Sequence, residues 1–181
     1  MRVIAGICRG LQLRAPDTQK VRPAADKVKG AIFNILGELS KVKVLDLFAG
    51  SGSVGIEALS RGAAHCTFVE ADKQIASYLE KNLEHCKLSD QSKVLLLKVN
   101  KAIPFLERKK ESFDLIFIDP PYDKNLLNPS LHDLCDSSLL RPETLLVAEH
   151  SPREIPHEQT LEIVDQRKYG QTFISFLKKV Q

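Results

Sequence analysis

Val44-Leu45-Asp46-Leu47-Phe48-Ala49-Gly50-Ser51-Gly52-Ser53-Val54-Gly55 decides how this chain reads. Its apolar first half, ending in an acid, predicts a buried strand over 42–48. Residues 53–61 then predict a helix. Between the two, the glycines open a turn. Unpaired backbone N–H groups of such a turn, with those of the helix N-terminus, make a cradle for a small ligand.

Outward from this stretch, strands and helices alternate. Strands are expected at 42–48, 66–70, 94–99, 114–119 and 145–149, with helices at 53–61, 73–87, 102–110 and 126–138. Near-continuous apolar strands separated by helices imply a parallel sheet covered on both faces. Two further strands, 161–164 and 172–177, have no helix between them and should pair as a hairpin. The expected fold class is therefore α/β, seven-stranded, with one antiparallel strand. Upstream, Val28, Ala31, Ile32, Ile35, Leu36 and Leu39 recur at spacings of three and four, predicting an amphipathic helix from Pro23 to Leu39. The first fourteen residues read as a small hairpin or extended arm. The division expected is a basic arm over 1–22 and one main domain over 23–181.

Gly50-Ser51-Gly52-Ser53-Val54-Gly55 satisfies G-x-G-x-x-G, with Glu70 about twenty residues on, as in dinucleotide sites. Asp46 argues against a dinucleotide, because a carboxylate at the strand's end would repel a pyrophosphate. It suits a cationic ligand without phosphates, such as S-adenosylmethionine. Glu70 can accept hydrogen bonds from ribose hydroxyls with either ligand. A cap or turn role for Asp46 is the plainer alternative.

The second informative stretch is Phe113-Asp114-Leu115-Ile116-Phe117-Ile118-Asp119-Pro120-Pro121-Tyr122. If the strands at 42–48 and 114–119 are neighbours at the switch point of the sheet, Asp119 faces whatever the glycine turn holds. An exocyclic amine of a nucleobase is a poor nucleophile, since its lone pair is delocalised into the ring. The Asp119 carboxylate and the Pro120 carbonyl can each accept one of its N–H bonds. Pro120 and Pro121 hold that carbonyl rigidly. Tyr122 offers a flat face for the base. Such a site works mainly by positioning.

Composition sets the outer bounds. The chain has 181 residues, 43% hydrophobic and 27% charged, as in an ordinary globular domain. No apolar run approaches ~18 residues, so no membrane span is expected. The start lacks the apolar core of a secretory signal. Cys8, Cys66, Cys86 and Cys135 lie far apart, without metal-ligand spacing, and read as thiols in a reducing cytoplasm; no metal is expected. Residues 1–41 carry eight Lys or Arg against three acids, a footprint of polyanion binding. Arg9, Arg22, Lys27 and Lys29 are the expected polyanion contacts, forming a basic surface beside the ligand cleft.

Arg22-Pro23-Ala24-Ala25-Asp26-Lys27-Val28-Lys29, Phe33-Asn34, the glycine stretch, Glu57-Ala58-Leu59-Ser60-Arg61-Gly62-Ala63 and Asp119-Pro120-Pro121-Tyr122 together resemble the RsmD family. These are Rossmann-like, S-adenosylmethionine-dependent methyltransferases of bacterial 16S ribosomal RNA. The resemblance spans essentially the whole chain. It implies methylation of a guanine N2 amine in 16S ribosomal RNA, with an assembled small subunit as preferred substrate and a monomeric enzyme. It also implies a cofactor site of Asp46, Phe48, Ala49, Gly50, Ser51, Gly52, Glu70, Ala71 and either Asn100 or Lys101. Asn100 is favoured chemically, because its amide can both donate to and accept from an adenine edge. The chain departs from the family at Ala24 and Gly30, where a hydroxyl and a carboxylate are usual. DNA adenine-N6 methylation shares the amine chemistry, but no residues are left over for a duplex-reading module. A protein glutamine amide, a dehydrogenase reaction and an inactive nucleic-acid-binding relative are the remaining alternatives.

Overall fold

The computed structural model describes residues 1–16, 23–122 and 124–180, with side chains in the first helix from Asp26 onward. Arg22 lies outside the described residues. Helix α1 (Pro23–Leu36) precedes β1 (Lys43–Leu47), α2 (Ser53–Ser60), β2 (His65–Glu70), α3 (Lys73–His85), β3 (Ser92–Leu96) and α4 (Val99–Arg108). Then come β4 (Leu115–Ile118), α5 (Leu127–Cys135), β5 (Leu145–His150), β6 (Leu161–Tyr169) and β7 (Thr172–Lys179).

The strands form one sheet in the order β3-β2-β1-β4-β5-β7-β6. β1 to β5 run parallel, and β7 is antiparallel to both of its neighbours. The α/β, seven-stranded expectation holds, and β1 and β4 are indeed adjacent. Buried apolar side chains cover both faces. Val44, Ile56, Phe68, Leu79 and Phe117 belong to one core, and Leu45, Leu47, Ile116, Leu131 and Leu146 to the other. This is why the central strands read as unbroken apolar runs.

Three boundaries differ from expectation for physical reasons. α1 stops at Leu36 because Gly37 turns left-handed, with φ 71°. β3 occupies Ser92–Leu96 rather than 94–99, and Val99 starts α4. As an edge strand it carries polar Ser92 and Lys93 and leaves Leu96 exposed, so hydrophobicity is a poor guide to its ends. β6 runs on to Tyr169, well past residue 164. It is the other edge, mostly exposed, with no alternation to read.

The N-terminal segment is a docked hairpin. Arg2 bridges Gln12, the Val3 N–H donates to Leu11, and the Leu13 N–H to Met1. Val3, Cys8 and Leu13 are buried in the same core as α1, α2 and α3. No helix among the described residues is long and apolar enough to cross a membrane.

Candidate active site

Leu47 pairs with Ile118, so Phe48 and Asp119 leave β1 and β4 side by side at the switch point of the sheet. Phe48 then takes a left-handed φ of 62°, a conformation a bulky side chain rarely adopts. Gly52 follows with φ 88°, and a Cβ there would lie 2.3 Å from the Leu79 side chain. A Cβ on Gly55 would lie 2.2 Å from the Phe68 ring, so this glycine lets α2 settle against β2.

Asp46 is 2% exposed. Its Oδ2 accepts the Gly55 N–H at 2.9 Å, which makes it a cap of the first turn of α2, the plainer reading, as well as a wall of the cleft. Burial pushes its carboxyl up to about 7; the Glu70 charge adds to this, and the Gly55 N–H opposes it. Glu70, at the end of β2, accepts the Gly50 N–H at 2.9 Å and the Asp72 N–H at 2.8 Å.

A cleft of about 1180 Å³ opens beyond the carboxyl ends of the strands. Asp46, Phe48, Ala49, Gly50, Ser51, Glu70, Ala71 and Asn100 line it, as do Asp119, Pro120, Pro121 and Tyr122. Gly52 shapes the turn from behind, and Lys101 is exposed in α4 outside the lining. The Tyr122 hydroxyl donates to Glu149 Oε1 at 2.8 Å and lies 2.9 Å from Thr172 Oγ1. Burial, with the Glu149 charge, pushes the phenol well above its ordinary range. The hydroxyl tip of Tyr122 is thereby anchored to β5 and β7.

The basic residues divide differently from expectation. Lys29 is 5% exposed, and its ammonium donates to the Arg2 carbonyl oxygen at 2.8 Å and to Ser53 Oγ at 3.0 Å. It also faces the fully buried Glu57 at 3.5 Å, and burial lowers its pKa. The expected exposed phosphate contact is thus a buried clamp between α1 and α2, because α1 packs with this face inward. Arg9 sits at the hairpin turn, where the Cys8 N–H donates to Ser60 Oγ at the far end of α2. Eight residues of helix, about 12 Å, separate that end from the glycine turn. Arg9 therefore does not flank the mouth. Arg2 and Arg14, at the opposite end of the hairpin, have their backbones tied beside the glycine turn, Arg2 through Lys29 to Ser53 and Arg14 through Asn82 to Ser51. Lys27 is exposed on α1.

Motif reading missed Asn82 altogether, and it quoted Glu57 without a role. Glu57 accepts the N–H groups of Ile4 and Ala5 and pairs with Arg61 at 2.7 Å. Asn82 donates to the carbonyl oxygens of Ser51 and Arg14 and accepts the Arg14 N–H. Each is a polar residue on an otherwise apolar helix face, which was the available signal.

The family described as Conserved hypothetical protein 95 matches residues 1–178. YlbH of Bacillus subtilis (strain 168) is 38% identical over 183 residues, covering 99% of both chains. A Haemophilus influenzae protein named ribosomal RNA small subunit methyltransferase D is 38% identical over 152 residues, covering 82% of this chain and 78% of its own. The solved structure of Escherichia coli yhhF superposes with a TM-score of 0.84 at 31% identity, covering 99% of this chain and 97% of that one. With a cradle after β1, an Asp-Pro-Pro-Tyr box after β4 and these relatives along its length, the chain belongs to the Conserved hypothetical protein 95 family, the RsmD family that its sequence resembles.

Proposed function

We propose that this chain transfers a methyl group from S-adenosylmethionine to the exocyclic N2 amine of a guanine in 16S ribosomal RNA. The observation that carries the reading is a single cleft with two kinds of wall. Asp46, Gly50 and Glu70 line one part of it, and Asp119, Pro120, Pro121 and Tyr122 another. A relative named for the small-subunit ribosomal RNA supports the substrate class.

The residues present fit the cofactor. Among the described residues, only the Gly55 N–H favours the charged form of Asp46. A cationic amino group beside it would complete that balance; a phosphate would worsen it. Glu70 holds a carboxylate at the end of β2, where ribose hydroxyls can donate to it. Asn100 lines the same cleft and carries an amide suited to an adenine edge. S-adenosylmethionine supplies an electrophilic methyl carbon when bound.

The chain's own residues do the rest. The Asp119 carboxylate and Pro120 carbonyl accept the two N–H bonds of the target amine and aim its lone pair into the cleft. Tyr122 stacks on the base. One N–H bond is lost after the new C–N bond forms, and Asp119 offers a carboxylate for that proton. The enzyme acts as a cytoplasmic monomer on an assembled or partly assembled small subunit.

The test is methylation of naked 16S RNA and of small subunits lacking the modification, followed by mass mapping of the digested nucleosides. N2-methylguanosine is the expected product. N6-methyladenosine, or no methylated nucleoside from either substrate, overturns the reading.

A further inference from the structure

Tyr169 plays no part in the site as read from sequence, yet it lines the cleft together with Tyr122. It ends β6, and its Cα partner in the hairpin register is Thr172, the first residue of β7. Gly170, with φ 65°, allows the two-residue turn between them. Directly paired residues of an antiparallel ladder point to the same face, about 5 Å apart. Thr172 Oγ1 is itself 2.9 Å from the Tyr122 hydroxyl. Because that hydroxyl donates to Glu149, the Thr172 hydroxyl donates to the phenol oxygen. Two aromatic rings, one after β4 and one at the end of β6, are therefore coupled through a single threonine.

Tyr169 is half-buried and packs against the core that contains Ile32 and Ile174. Lys168, the preceding residue, pairs with Phe173 on the opposite face of the sheet, its ammonium 5.5 Å from the Phe173 ring centroid. A half-buried aromatic ring on the wall of the cleft suits an unstacked base. A base drawn out of an RNA fold loses stacking on both faces, and Tyr122 replaces only one.

We infer that Tyr169 stacks on the second face of the target base, so that the β6–β7 turn and the Asp-Pro-Pro-Tyr box hold the purine between two rings. This inference rests on the RNA reading above. It places Tyr169 among the substrate-positioning residues and makes the far edge of the sheet part of the RNA surface.

The test compares Tyr169→Phe, Tyr169→Leu and Tyr169→Ala in methyl transfer to small subunits, alongside calorimetry with S-adenosylhomocysteine. The Phe variant should stay within about twofold of the parent. The Leu and Ala variants should lose roughly 5- to 150-fold in kcat/KM, the fold-change equivalent of one lost stacking contact. S-adenosylhomocysteine affinity should be unchanged in all three, which also reports an intact fold. Full activity in the Leu variant, an equal loss in the Phe variant, or weakened S-adenosylhomocysteine binding overturns the role for the ring. A parent protein that methylates no RNA overturns the proposed function and this inference together. A parent that methylates RNA beside an undiminished Tyr169→Ala overturns the inference alone.

Discussion

The Asn82 side-chain amide donates to the Ser51 carbonyl oxygen at 2.9 Å, so one residue of α3 holds the glycine turn in place. Its other contacts are to Arg14, whose N–H it accepts and whose carbonyl it also binds, both at 2.8 Å. The turn and the N-terminal hairpin share one buried fastener. Asn82→Ala leaves the Ser51 carbonyl and both Arg14 backbone groups without these partners. Stability should fall by about 3 kcal/mol, read as a lower urea midpoint, and S-adenosylhomocysteine should bind more weakly.

Asp46 carries a stability penalty that follows from its burial. Burial raises its pKa from the ordinary 3.8 to about 7 in the fold. Below the lower value both folded and unfolded chains are protonated there, and nothing is lost. Between the two values the unfolded chain releases its proton first, so stability declines as pH rises. Above about 7 the loss is complete, on the order of 4 kcal/mol. Asp46→Asn should therefore melt higher than the parent at pH 8 and nearly equal to it at pH 4, by scanning calorimetry. The same variant should lose S-adenosylhomocysteine binding. In the parent, that affinity should weaken below about pH 7, as the proton competes with the ligand's ammonium group.

Asp119 is exposed at the floor of the acceptor end and takes no part in either core. Asp119→Ala should reduce methyl transfer by at least about 100-fold. S-adenosylhomocysteine binding should stay within about twofold. Retained transfer would remove Asp119 from the mechanism.

Arg2 is 61% exposed at its side chain, with Asp26 3.7 Å away. Its backbone and that of Arg14 are tied beside the glycine turn, whereas Arg9 lies at the other end of the hairpin. Arg2→Gln and Arg14→Gln should each flatten the plot of log affinity against log salt by roughly 0.7–0.9 for small-subunit RNA. Arg9→Gln should leave that slope unchanged. Fluorescence anisotropy across a salt series distinguishes the three.

The parts of this molecule that could be read beforehand are those where residue type alone carries the physics. β1, β2, β4 and β5 are buried on both faces, so their apolar runs identify them. Gly52 and Gly55 are where a Cβ would collide, so the glycine spacing marks the turn. Asp119 and Tyr122 are legible because two prolines stop the strand between them. Legibility fails at the sheet's two edges, where β3 and β6 expose polar side chains and lose alternation. It fails again at Lys29, whose charge reads as surface but whose helix face turns inward toward Glu57. Asn82 belongs to no motif, and the stretch Glu57–Ala63 carries the family resemblance without assigning Glu57 a role. Only the places of Glu57 and Asn82 on the apolar stripes of α2 and α3 set them apart. Tyr169 enters the site through a hairpin register that no local pattern encodes.

The hairpin's fastenings have a consequence for the order of assembly. Ile4 and Ala5 bind Glu57, Cys8 binds Ser60 and the Cys86 carbonyl, and Arg14 binds Asn82, across separations of 52 to 78 residues. Every one of those partners is made after the hairpin itself. At roughly 5–20 residues per second, the growing chain carries a segment with nothing to dock on for several seconds. The hairpin precedes all of these partners in the chain and finds its place only once residues 57–86 have been made. Its arrival adds the Arg14 contacts to Asn82, the residue that holds the glycine turn, so the buried fastener of the cradle is complete only after α3 has been made.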